Sequence, residues 1–335
     1  MNTSPCIKDC YLSETMMSSL STAEITLQIN LSPGDRHYAH LTIPALVARH
    51  EDIKQRLLVV DCCRPQKTKL VDSDSKYPLP AFLAQVEEII SLSEGFLKEG
   101  LVSEVIYLQP GAPIFKQLSS KYLNGAYACT HSAGGTANMS YWAAMEIPQT
   151  RYIIHFDADM LFYQKPGYSW YQEAVAYLQE EPGAIFAVPR LCPPVDGGGP
   201  DAPSLQEGRP FQSFTGYWMN DWFSTRLFLL DKVRLQARLP LVKGWLKGEL
   251  LARKYLKRAY PLDPEIILAR SLWTTKDRRI ILKNSDAWAL HPPEKGEYFL
   301  ELLPHMLKRI ADGKAPLQQQ GREDVILNAW KSNGA

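Results

Sequence analysis

Apolar and polar positions alternate along the chain in two periods, one short and one helical. Ile25-Thr-Leu-Gln-Ile-Asn-Leu31 places apolar and polar residues in turn, which predicts a strand. Ser32-Pro-Gly-Asp35 then turns the chain, and helical spacing runs over residues 37–50. Residues 56–61 are apolar through their centre, as strands buried on both faces of a parallel sheet are. Helical spacing over 82–98 leads to a third strand at 103–108. Farther on, 136–145 reads as a helix, 151–156 as a strong strand and 184–189 as another strand. Residues 216–231 are aromatic and apolar, 243–258 form a basic helix, and 263–272 are helical. Residues 279–290 read as a last strand pair or extended segment, and 298–312 as a closing helix. Strands alternating with helices argue an α/β fold, with a mostly parallel central sheet, right-handed crossovers and flanking helices.

Between these elements the chain changes character twice. Residues 1–22 are polar and loose, and order is expected from residue 23, in one domain covering 23–335. Residues 189–214 hold Pro193-Pro194, Gly197-Gly-Gly-Pro200, Pro203 and Gly208, a composition expected of a mobile connection beside a functional cleft. A length of 335 residues is enough for a large buried core. The formal net charge of +1 gives no reason to expect nucleic acid as a partner. Six cysteines show no zinc-type spacing, and no apolar run approaches the roughly 18–20 residues needed to span a bilayer. A cytoplasmic protein is the expectation, with a possible peripheral seat at the inner membrane face through the basic helix 243–258.

Chemistry concentrates where the strand at 151–156 ends. It runs directly into Asp157-Ala-Asp159. In open parallel sheets, ligands bind beyond the carboxyl ends of the strands. Two carboxylates two positions apart, where the chain leaves the sheet, can address one small site. A hard divalent cation takes oxygen ligands and keeps phosphate oxygens as partners. The pair can therefore hold Mg²⁺ or Mn²⁺ against a diphosphate, and the same string also reads as turn or helix-capping acids.

Further motifs give the pair a context. Tyr152-Ile-Ile-His-Phe-Asp-Ala-Asp-Met160 resembles the Asp-x-Asp strand of GT-A glycosyltransferases, especially the inverting family two. Upstream, Gly134-Gly-Thr-Ala-Asn138 is similar to the small-residue segment that precedes that strand, and Val59-Val-Asp61 to the strand end that holds the nucleotide base. Downstream, Asp263-Pro-Glu-Ile266 resembles the Glu-Asp-x-Glu-Leu motif, and Ala289-Leu-His291 the late His of the metal site. The chain departs from the family at Cys62-Cys63-Arg64, and at Ala137, where an Arg commonly precedes the Asn. It also lacks the Gln-x-x-Arg-Trp motif of processive synthases, which argues against polymer synthesis.

The resemblance implies a GT-A-like fold, with a nucleotide-sugar half at 23–165 and an acceptor half at 166–335. It implies inverting transfer from a UDP- or GDP-sugar to a hydroxyl of a small molecule, a glycan or a lipid-linked acceptor. Asp157, Asp159 and His291 would hold Mn²⁺ or Mg²⁺. Leu31, Ser32, Asp61, Gly135, Asn138 and Asp157 would contact the nucleotide. Asp263 would be the general base, with Glu265 its rival; Asp263 also reads as a helix N-cap before Pro264. Trp218, Asn220, Asp221 and Trp222 fall where acceptor contacts are expected, and the two tryptophans also fit a plain core role. Two alternatives stay open: a haloacid-dehalogenase-type phosphatase, whose first motif is also Asp-x-Asp, and a non-catalytic nucleotide-sugar binder.

Overall fold

A computed structural model describes residues 22–196 and 211–331. The expected flexible leader, apart from Thr22, lies outside the described residues. So do residues 197–210, the greater part of the Pro- and Gly-rich connection.

Eleven strands are described: β1 Ile25–Leu31, β2 Gln55–Asp61, β3 Glu104–Leu108, β4 Tyr152–Asp157, β5 Leu161–Gln164, β6 Ala184–Val188, β7 Gln212–Ser213, β8 Tyr217–Asn220, β9 Leu227–Asp231, β10 Arg278–Leu282 and β11 Ala287–Leu290. The helices are α1 Ala39–Ala48, α2 Ser73–Lys76, α3 Leu79–Lys98, α4 Ile114–Leu123, α5 Met139–Glu146, α6 Trp170–Glu180, α7 Lys232–Gln236, α8 Gly244–Leu256, α9 Pro264–Thr275 and α10 Glu297–Ala311.

Nine strands form the main sheet in the order β3-β2-β1-β4-β9-β6-β10-β8-β7. β3, β2, β1 and β4 pair in parallel, as do β6 and β10, while β9 and β8 run against their neighbours. Two apolar clusters fill the sheet's two faces, one centred on Ile29, Phe156 and Trp170, the other on Val59, Trp142 and Phe228. A third, built on Trp288, Phe299 and Trp330, packs α10 against a two-stranded sheet of β5 and β11. The expected last strand pair thus divides: β10 stays in the main sheet and β11 leaves it.

β1 differs from its sequence pattern. Every residue in it is buried, the polar ones included. Thr26 shares a hydrogen bond with Thr150 (2.8 Å), and Gln28 donates to Asn30 (3.0 Å). The alternation reflects a polar line buried inside the sheet, with no face left to water.

Register decides what meets at the sheet's carboxyl edge. Asn30 lies opposite Asp157, Leu31 opposite Val60, and Asp61 opposite Leu108. The ends of β1, β2 and β4 therefore reach one level. Leu161 of β5 lies opposite Leu290 of β11, which brings His291 back beside the turn that carries Asp159.

Candidate active site

A cleft of about 530 Å³ opens at that edge. Leu31, Ser32, Asp61, Asp157, Asp159, Trp222, Asp263, Glu265 and His291 all line it. These are nine of the positions singled out from sequence, drawn from segments more than 200 residues apart.

Asp157 is held from two sides. The Tyr141 hydroxyl donates to Oδ2 (2.7 Å), and His155 Nε2 lies 3.3 Å from Oδ1. A carboxylate only accepts, so any hydrogen bond in that contact is donated by Nε2. The ring's other nitrogen abuts the Gln28 side chain, and its face stacks on Phe228 at 4.6 Å. The buried polar line of β1 thus ends by fixing Asp157. Burial and the neighbouring Asp157 raise the Tyr141 hydroxyl pKa well above its ordinary value, so Tyr141 stays a donor.

Asp159 is differently placed. Lys295 pairs with its Oδ2, while Oδ1 is buried with no hydrogen-bond partner among the described residues. Asp35, which sequence reading passed over as a turn residue, lies near. Its Oδ2 accepts from the Ser32 backbone (2.7 Å) and hydroxyl (2.8 Å), and Tyr38 donates to Oδ1. Burial, and then the charge of Asp159, push the Asp35 carboxyl up to about 6.

His291 keeps Nδ1 on the Asp324 carboxylate at 2.9 Å. Burial, and then Arg226, lower its pKa, which favours neutral imidazole. A ring nitrogen bound to a carboxylate, with the other left for a ligand, is how metal-binding histidines are commonly oriented. Crowded carboxylates, a buried oxygen without a partner and this histidine suit a hard divalent cation. Among the described residues, however, no three His, Cys, Asp or Glu side chains are grouped to enclose an ion. In this conformation the amine of Lys295 supplies the positive charge at Asp159.

Asp61 ends β2 with Oδ1 accepting from the Cys63 backbone at 2.9 Å. Burial pushes its carboxyl from 3.8 up to about 6, against the pull of the hydrogen bonds from Cys63 and Ser140. A carboxyl raised on folding contributes stability that is whole below about pH 4 and lost as pH rises through about 6. Asp61→Asn should therefore match the wild type near pH 4. By pH 8 it should exceed it by an order of 1–3 kcal/mol. Denaturant unfolding at pH 4, 5, 6 and 8 reads the difference. A stability gap that stays constant across that range would contradict it.

Asp263 stands at the N-cap of α9 before Pro264, yet its side chain makes no capping hydrogen bond, and its Oδ1 is buried without a partner among the described residues. Its neighbour Leu262 is pinned by carbonyl hydrogen bonds from Tyr127 and Asn138, both at 3.2 Å.

That contact corrects one expectation. Asn138 is fully buried and anchors the Asp263 loop instead of lining the cleft. Gly135 is also absent from the lining, which takes Thr136 and Ala137 from that segment. It holds φ +87°, and a Cβ there would crowd Val71 at 3.2 Å, so its glycine serves the turn. Trp218, Asn220 and Asp221 do not reach the cleft. Trp218 is buried in β8 with Arg190 and Lys283 over its ring. Asn220 accepts from Arg279 (3.3 Å), and the Asp221 carbonyl accepts from Trp273 (2.7 Å). The strand that holds Trp218 and Asn220 is paired with β10, far across the sheet from β4. Trp222, one residue beyond Asp221, does line the cleft.

Sequence reading missed Asp35, Tyr141, Arg226 and Lys295. The two cations matter most, because Ala137 stands where the resemblance leads one to look for an Arg. Lys295 follows His291 by four residues, a local signal that was available. Arg226 offers none.

A second, polar hollow of about 450 Å³ adjoins the cleft, lined by Arg322, Glu323 and Asp324. Trp222, Arg226 and Glu265 line both.

No protein-family model and no curated protein matches the chain. Among solved structures, it is similar to apo mouse xyloside xylosyltransferase 1 at 15% identity, over 75% of this chain and 82% of that one, with a TM-score of 0.37. It is also similar to an active-site mutant of LgtC at 11% identity, over 72% of this chain and 68% of that one, TM-score 0.30. A third is the galactosyltransferase LgtC in complex with donor and acceptor sugar analogs, at 10% identity over 74% of this chain and 70% of that one, TM-score 0.32. Likeness at that level decides nothing about this chain's chemistry.

Proposed function

We propose that the protein is a GT-A-like glycosyltransferase that moves a sugar from a UDP- or GDP-sugar to an acceptor hydroxyl, non-processively and with inversion, using Mn²⁺ or Mg²⁺. One observation carries the reading. Asp159 Oδ1 and Asp263 Oδ1 are both buried without hydrogen-bond partners among the described residues, and both residues line one cleft. Leaving a buried acceptor unsatisfied costs about 1–3 kcal/mol, so two in one cleft point to groups that a ligand completes.

The roles follow from chemistry. Asp61 and the ends of β1 and β2 receive the nucleoside. Asp157, fixed by Tyr141 and His155, and Asp159, with His291 across the turn, face the diphosphate side. A divalent cation held there supplies charge neutralisation for the departing diphosphate. Lys295 and Arg226 add fixed positive charge at the same end of the cleft. Asp263 takes the acceptor proton, and Glu265 and Trp222 border the acceptor's entrance from the second hollow. An aromatic face beside carboxylates suits a sugar ring. The described cysteines are all free thiols, which suits the cytoplasmic nucleotide-sugar pool as donor source.

The test is a panel of UDP- and GDP-sugars with and without Mn²⁺. A matched donor should raise the unfolding midpoint only with the cation and release nucleoside diphosphate slowly when water replaces the acceptor. Stabilisation without release would leave a non-catalytic nucleotide-sugar binder. Release of inorganic phosphate from phosphomonoesters, with no response to any donor, would favour the phosphatase.

A further inference from the structure

Helix α8 has two apolar faces, and the fold uses only one. Leu246 and Leu250 are buried and pack it onto the core. With a turn every 3.6 residues, Trp245, Gly248, Leu251, Ala252, Tyr255 and Leu256 fall on the opposite arc. Trp245 is 86% exposed, Tyr255 87%, Leu251 55% and Leu256 56%. No charged residue lies among them. A helix that merely covers a core carries polar residues on its outer face. An outward stripe of this kind marks an interaction surface.

Charge identifies the occupant. Residues 243–258 contain Lys243, Lys247, Arg253, Lys254, Lys257 and Arg258 against a single acid, Glu249, for a local charge of 6 − 1 = +5. That acid is already committed to Arg253 (2.8 Å) and Arg270 (2.5 Å). The whole chain carries only +1, so this excess is local. A second copy on the same face would set +5 against +5. An anionic lipid surface complements it. Tryptophan and tyrosine side chains, apolar in the body and polar at the tip, suit the headgroup boundary.

We propose that α8 docks the protein on anionic membranes, its outward stripe lying among the headgroups and its lysines against lipid phosphates. The docking is independent of the transfer reaction. The segment between α8 and Asp263 is fastened, with Tyr260 donating to the Ala126 carbonyl (2.8 Å) and the Pro261 carbonyl accepting from Ala133 (2.9 Å).

Co-sedimentation of the full chain with vesicles tests this. Vesicles of phosphatidylcholine with added phosphatidylglycerol should bind it, and phosphatidylcholine alone should bind at least about tenfold less. Lys247→Gln with Lys254→Gln should cost roughly tenfold to thirtyfold at low salt and much less at high salt. Trp245→Ser with Tyr255→Ser should lose about tenfold or more in either condition. Both double variants should unfold at the wild-type midpoint and keep the wild-type response to donor, since their side chains point away from the core and the cleft. Three results would overturn the proposal: no vesicle binding, equal binding to neutral and anionic vesicles, or a solution dimer that the Trp245/Tyr255 variant splits.

Discussion

Asp159→Ala should abolish cation-dependent donor binding and leave the fold standing. Changing a group that only supports a metal ligand commonly costs 10–100-fold in metal affinity. Loss of the side chain with the free buried oxygen should therefore exceed about a hundredfold. Stability should move by less than about 1 kcal/mol. Lys295 loses its partner but is itself about a third exposed, and a pair of that kind is worth little. In return, Asp35 loses the charge that helps hold its carboxyl up. Calorimetric titration of donor with Mn²⁺ present, beside a thermal melt, separates the two effects. Unchanged donor affinity would remove Asp159 from the cation site. Lys295→Ala makes the complementary case: with no amine to displace, Mn²⁺ alone should bind more tightly than in the wild type, while donor binding weakens.

The second large effect belongs to Asp263. Asp263→Asn should retain donor binding and lose transfer by about 10²–10⁴, the range typical of a lost general base. The amide is nearly isosteric. Because the native side chain makes no capping bond, the start of α9 loses nothing by the change. Glu265→Gln should be milder if that residue only orients the acceptor. Donor hydrolysis is the assay until an acceptor is found, with water in its place. If Glu265→Gln silences the reaction and Asp263→Asn does not, the base lies two positions farther along, and Asp263 serves only the backbone.

Both predictions rest on residues visible in the sequence, and the structure sharpened each. Asp263 before Pro264 reads equally well as a cap or a base from the string alone. The structure adds that the side chain makes no capping hydrogen bond and leaves Oδ1 buried without a partner among the described residues. Asp157 and Asp159 read as an equivalent pair. The structure makes one an anchored carboxylate with both oxygens engaged, and leaves the other with one oxygen free.

Local pattern determined a good deal here. The apolar runs of β2 and β4, the turn after β1, the helical spacing of α3 and the acidic exit of β4 are properties of neighbouring residues. Short-range sterics and the period of burial write them into the string. Tertiary structure alone decided the rest. The polar residues of β1 look solvent-facing, because alternation cannot distinguish water from a buried polar line; the partners Thr150 and His155 lie far along the chain. Trp218 and Asn220 look like ligand contacts until β8 pairs with β10 and takes them into the sheet. Asp35, Tyr141, Arg226 and Lys295 carry no shared motif. They meet because strand register and the β5–β11 pairing bring distant backbone to one edge, and pairing between distant strands leaves no periodic mark on either one.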